Sequence, residues 1–269
     1  MHINSSRRGF IRGVAGLAAL GACGCLSRKP HYKGGKIRLA AVGIWGKGFS
    51  DWMPMVLSGK AEIVALCDCD RNTLKNVAEA THDGADFGQD LAKIPFYTDY
   101  RRLLDDAGVL GIDAMTVSTT DHTHAPIAIA AMKMGIHVYV QMPLVRTLWE
   151  LDYFGKTAKD YNVVTQMGNQ GSSLQGFRRG VEVLNSGILG DVREVHVWTN
   201  RPVWPQGRMA AEATFGEADA VPDTLDWDAW LSTAKNRPFK GQYPNGKKGY
   251  DPWGLCNNVY HPFSWRGFF

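Results

Sequence analysis

The chain has 269 residues, 45% of them hydrophobic and 11% aromatic, enough apolar material for one large domain or two of ordinary size, which excludes a disordered chain. Lys and Arg number 30 against 26 Asp and Glu, a formal charge of +4, and three of the positive charges (Arg7, Arg8 and Arg12) sit within residues 1–12. No basic stripe recurs along the rest, which argues against nucleic acid as a partner.

Residues 1–30 read as a targeting signal. Ser6-Arg7-Arg8-Gly9-Phe10-Ile11-Arg12 has the twin-arginine form, and Gly13 to Leu26 is a Gly/Ala-rich apolar stretch too short to span a bilayer. The expected location is the periplasm, or a membrane surface if Leu20-Gly21-Ala22-Cys23 acts as a lipoprotein box and leaves a lipid anchor on Cys23; Cys25 next to it keeps that assignment open. Export in the folded state is compatible with a cofactor held tightly enough to travel with the protein. Cys67 and Cys69 lie two apart on a predicted strand and Cys256 stands alone, which makes neither a disulfide framework nor a zinc spacing.

After a polar linker at Ser27 to Gly35, short β-rich runs alternate with helical stretches. Strands are expected at Ile37 to Val42, Ala61 to Leu66, Ile112 to Ser118, Ile136 to Val140 and Val163 to Gln166. Helices are expected between the first two strands, at Asn72 to Ala80, Tyr100 to Asp106, Ala125 to Met134 and Leu148 to Tyr161. This alternation predicts an α/β fold over residues 36–168, a doubly wound parallel sheet covered on both faces. The pattern changes near Gly168. A loop to Ser173, a helix at Leu174 to Asn185 and a strand at Val192 to Thr199 open a second region, 169–269, that is rich in Trp, Pro and Gly beyond Arg201.

Gly43-Ile44-Trp45-Gly46-Lys47-Gly48 follows the first strand and opens the first helix, where a dinucleotide-binding turn belongs. Gly43 and Gly48 match the outer glycines of G-x-G-x-x-G, Trp45 stands in the middle position, and Gly46 beside it offers an alternative close approach. Asp68 ends the second strand, where a carboxylate accepts the ribose hydroxyls of NAD and repels a 2′-phosphate. Thr119-Thr120-Asp121-His122-Thr123-His124 follows the third strand of the motif series. Two histidines and a carboxylate resemble a metal site, but no third ligand of suitable spacing accompanies them, so no metal is expected. Helix capping by Asp121 or Thr123, with cofactor contacts from Thr119, Asp121, His122 and His124, is the expected role.

The order of these motifs, with Cys67-Asp68-Cys69-Asp70, a strand running into Gln141-Met142-Pro143-Leu144, and Gln166-Met167-Gly168-Asn169-Gln170-Gly171, resembles the Gfo/Idh/MocA oxidoreductases. Val195 to Pro202, Trp204 to Gly207, Leu225 to Leu231 and Tyr260 to Gly267 look like the exported branch of that family, and the resemblance covers roughly residues 36 to 269. It implies a Rossmann domain binding NAD, followed by an α+β substrate domain with an open sheet, here incomplete. It also implies hydride exchange with a sugar, polyol or glycoside, in some members through a transient keto sugar, and cofactor contacts from Gln141, Pro143 and Gln170. The family usually carries lysine where Met142 stands, beside the nicotinamide and the reacting hydroxyl. A thioether neither donates a hydrogen bond nor passes a proton. If the chemistry survives, His124 and His261 are the expected proton carriers; the alternative is a degenerate homologue that binds nucleotide or sugar without turning it over.

For a carbohydrate, Arg201, Trp204, His261, Trp265 and Arg266 are the candidate contacts, because aromatic rings stack on sugar faces while Arg and His donate to hydroxyls. The alternative for these tryptophans is an irregular core. An unpaired edge at the Val192 to Thr199 strand would favour a homo-oligomer that pairs it between chains.

Overall fold

A computed structural model describes residues 35–82, 87–199 and 217–241, together with Tyr260 and Trp265. The signal segment, Arg201, Trp204, His261 and Arg266 lie outside the described residues. In chain order the elements are β1 (Ile37–Val42), α1 (Lys47–Leu57), β2 (Ala61–Cys67), α2 (Asn72–His82), β3 (Phe96–Tyr97), α3 (Tyr100–Asp105), α4 (Ala107–Leu110), β4 (Ala114–Val117), α5 (His124–Lys133), β5 (His137–Gln141), α6 (Leu148–Asp160), β6 (Thr165–Gly168), α7 (Gln175–Asn185) and α8 (Trp227–Leu231). The strands form one sheet in the order β3-β2-β1-β4-β5-β6, every neighbouring pair parallel. Order reverses between β1 and β4, which opens a crevice at the carboxyl ends of those two strands.

The near-continuous apolar runs of these strands follow from burial on both faces. On β1, Ala40 and Val42 join Val117, Val140 and the inner sides of α3, α5 and α6, while Leu39 and Ala41 face Trp52, Met53 and Val56 of α1 and Val77 of α2. Each fully buried Val, Leu or Met among these contributes roughly 1.5–3 kcal/mol, and each Ala less. Trp52 is fully enclosed and its indole nitrogen donates to the Ile44 carbonyl at 3.0 Å, which ties α1 to the turn that precedes it. Entry to α6 is fixed by a capping box in which Thr147 and Glu150 satisfy each other's backbone.

Element positions follow the sequence pattern with ends shifted by a few residues. The exceptions are β3, α4 and α8, which the pattern did not mark, and the strand expected at Val192 to Thr199. Residues 191–199 belong to no strand, and Val195, Val197 and Trp198 are 77–89% exposed. Alternating side chains favour a strand only where an edge pairs with it, and among the described residues no strand pairs with these. Capping also differs: α5 begins after Thr123 without a side-chain cap, because the Thr123 hydroxyl is committed to Thr119 Oγ1 and the Thr120 carbonyl.

Beyond α7 the chain returns to the carboxyl end of β2. Asp226 N donates to the Cys69 carbonyl at 2.8 Å, Arg71 N to the Thr224 carbonyl at 2.9 Å, and Asp70 pairs with Leu225 in a single antiparallel bridge. Behind this seam Trp230, Leu231, Tyr260 and Trp265 form a small aromatic core with Trp227 and Phe239 packed against it.

Candidate functional site

The site begins at the turn after β1. Gly43 has φ +76°, and a Cβ there would meet the Ser118 carbonyl oxygen at 2.6 Å, so the close passage of this turn under the end of β4 demands glycine. A Cβ on Gly48 would collide with the Gly43 carbonyl, which is the tight contact between helix and turn that the motif requires. Gly46 precedes α1 with φ +60° and open space where a Cβ would point; no side chain caps the helix. Unsatisfied N–H groups and the helix dipole therefore face the crevice, the arrangement that receives a pyrophosphate. Trp45, in the middle glycine's place, is turned aside, half exposed with its ring 5.4 Å from that of Phe49.

Asp68 stands at the end of β2. Its Oδ2 accepts from Ile44 N at 3.0 Å and its Oδ1 from Asp70 N at 3.1 Å, which fixes the carboxylate against the glycine turn. Burial pushes its carboxyl up to about 6, and the two backbone donors pull the other way. Oδ1 also lies 3.9 Å from the Cys69 thiol, and a carboxylate with about four acceptor sites still has capacity for a ribose hydroxyl. The glycines, the open helix start and this carboxylate fit a dinucleotide.

Opposite Asp68, across the strand-order reversal, stand the ends of β4, β5 and β6. His124 is enclosed, with Nδ1 2.7 Å from the Pro143 carbonyl and Nε2 3.1 Å from the Thr119 carbonyl. Expected as a proton carrier, it sits between the carbonyls of the turns that follow β4 and β5, and a neutral ring donates its single N–H to one of them. His122 is likewise buried: Nε2 lies 3.0 Å from the Trp230 carbonyl, the ring leans on the Trp230 indole, and burial lowers its pKa to about 4. It joins α8 to the domain through this contact with Trp230. Asp121 opens the short turn that leads into α5. Met142 is 52% exposed at the end of β5, joined to Pro143 by a cis peptide. Gln141 beside it is buried, and its amide fills the space a Cβ on Gly168 would need. Trp265 is buried in the aromatic core, so it packs where sugar stacking was expected.

Gln170 is brought to an unexpected partner. Its amide donates to Asp51 of α1, which also receives Lys47 Nζ and Ser118 Oγ, each at 2.7 Å. Sequence reasoning missed Asp51. The signal was there in its helical phase: with Gly48, Trp52 and Val56, it lies on the buried side of α1. Among the described residues no group of three or more His, Cys, Asp or Glu is placed to hold a metal.

The family model that matches this chain agrees with this geometry. Residues 37–169 match the model of an oxidoreductase family with an NAD-binding Rossmann fold, Gfo/Idh/MocA. A glycosyl hydrolase family 109 protein of Akkermansia muciniphila is 31% identical over 167 residues, 59% of this chain and 33% of that protein. A glycosyl hydrolase family 109 protein of Stenotrophomonas maltophilia is 34% identical over 138 residues, 49% of this chain and 28% of that protein. The matched stretches thus span about a third of the length of these curated relatives. Among solved structures, a myo-inositol 2-dehydrogenase from Lactobacillus plantarum is 24% identical with a TM-score of 0.48, covering 58% of this chain and 43% of that one.

Proposed function

From a chain whose residues 37–169 belong to the Gfo/Idh/MocA oxidoreductases, we propose an exported, NAD-dependent oxidoreductase that acts on a sugar, polyol or glycoside. The observation that carries the cofactor half of this reading is Asp68, anchored by Ile44 N beside an uncapped helix start. The Gly43 to Gly48 turn would hold the pyrophosphate and Asp68 the adenosine ribose. NAD, when bound, supplies the hydride acceptor. The carbohydrate half rests on the names of the relatives, which are glycosyl hydrolase family 109 proteins.

Outside the cytoplasm no nicotinamide pool renews the cofactor, so a tightly held NAD restored within each turnover is the consistent form of this chemistry. Asp68 gives the preference for NAD over NADP, since a 2′-phosphate would meet a carboxylate. Calorimetric titration of the purified chain, first freed of any nucleotide it carries, should show NAD binding and weak or no NADP binding. Asp68→Ala should weaken NAD by roughly tenfold, the scale of a lost charge-assisted hydrogen bond, and narrow the discrimination. NADP binding as tight as NAD in the unmodified chain refutes the assignment.

A second reading has its own observation. Met142 offers no proton at the position where the family usually has lysine, which favours a homologue that binds without turnover. Co-purified NAD, detected by absorbance and mass, combined with the absence of sugar-dependent NADH formation would select that reading.

A further inference from the structure

Asp51 is not required by the glycine turn or by the adenosine side of the site. Its side chain is fully enclosed, and three donors converge on it from the first turn of α1 (Lys47), the end of β4 (Ser118) and the turn after β6 (Gln170). A buried carboxylate is strongly unfavourable without such partners. A neutral side chain would tie these elements together with less desolvation, so the charge itself calls for a role. The phenol of Tyr139 on β5 is held above its ordinary range by burial and then by the charge of Asp51, which places the neighbouring strand within reach of this field.

Asp68 assigns the adenosine half of a dinucleotide to the end of β2, and the other half then lies across the strand-order reversal, beside β4 to β6. Ser118 and Gln170 stand there. The nicotinamide ring is cationic when oxidised and neutral when reduced, whereas the pyrophosphate has the same charge in both forms. A fixed charge on this side therefore changes the ratio of the two affinities, and effects on the pyrophosphate cancel from that ratio.

Resting on the NAD reading above, we infer that the buried Asp51 carboxylate biases the bound cofactor toward its oxidised form and that Lys47, half exposed, partly offsets the bias. Asp51 acts as a positioning and field-setting residue.

The test is the dissociation constant of NAD+ and of NADH, each measured by calorimetry on the full chain and on Asp51→Asn and Lys47→Met, all first freed of bound nucleotide. Asp51→Asn should weaken NAD+ relative to NADH by about fivefold or more, the scale of one charge acting over several ångströms of partly screened medium. Lys47→Met should shift the ratio the opposite way. Should Asp51→Asn fail to fold, the sign of the Lys47→Met shift decides. Equal changes in both affinities, leaving the ratio as in the unmodified chain, would reduce Asp51 to a structural tie and overturn the inference while leaving the NAD reading intact. An unmodified chain that binds neither form overturns that reading and this inference with it.

Discussion

Two residues flanking the crevice respond to pH in opposite senses. Burial raises Asp68 to about 6, so the folded state binds more protons than the unfolded state between roughly pH 4 and 6, and stability falls as pH rises through that window. Burial lowers His122 to about 4, so between roughly pH 4 and 6.5 the unfolded state binds the extra proton and stability rises with pH. In the unmodified chain the two slopes largely cancel. Asp68→Asn should uncover the rising limb and His122→Gln the falling one, each on the order of 1–2 kcal/mol after allowance for the solvent access that remains at Asp68. Denaturant midpoints measured from pH 4 to 7 read this directly, and parallel profiles for both variants would contradict the assignments. Met142 offers a second test at this scale. Because it is half exposed, Met142→Lys keeps its ammonium in water and should change stability by no more than about 0.5 kcal/mol. If the site retains hydride transfer and lacks only a proton donor, sugar-dependent NADH formation should rise by roughly 10²- to 10⁴-fold. A destabilised Met142→Lys would mean that the thioether is part of the packing.

At the scale of elements, local signals and distant contacts part company. The glycine turn and the alternation of strand and helix were readable because each depends on residues within one turn or one strand of each other; the capping box before α6, which sequence reasoning did not single out, is equally local, with Thr147 and Glu150 three positions apart. Thr147→Ala should accordingly cost about 1 kcal/mol, measurable as a lower denaturant midpoint with an unchanged nucleotide affinity. The pairing of Gln170 with Asp51 spans 119 positions and that of Asn72 with Thr224 spans 152, and no periodicity encodes either. The histidines show the same limit. Thr-Thr-Asp-His-Thr-His has the composition of a reactive loop, yet the backbone carbonyls of Thr119, Pro143 and Trp230 occupy the imidazole nitrogens facing them. Alternation at Val192 to Thr199 likewise marks a strand that awaits a partner; the pattern alone does not supply the edge.

Across the whole molecule, burial divides the described chain unevenly. Both apolar clusters of the sheet are built from residues between Leu39 and Phe154, whereas α7 and the residues after it through 199 are almost entirely exposed. Leu174, Phe177, Val181, Leu184 and Ile188 follow helical spacing and are 41–78% exposed, so α7 contributes little core. Segments with few buried contacts open locally at low free energy, and proteases report that opening. Limited proteolysis should therefore cut first between about residues 186 and 199, and the surviving fragment should extend through β6. Saturating NAD stabilises the fold that binds it by about 2.7 kcal/mol at a hundredfold excess over its dissociation constant. That increment should slow cleavage within the sheet domain and leave the 186–199 cuts at their original rate, because the glycine turn and Asp68 are fixed by bonds within the sheet domain while residues 186–199 are exposed. If NAD instead protects residues 186–199 in parallel with the core, the segment folds over the bound nucleotide, and its exposed Val195, Val197 and Trp198 would be the residues to replace in locating that contact.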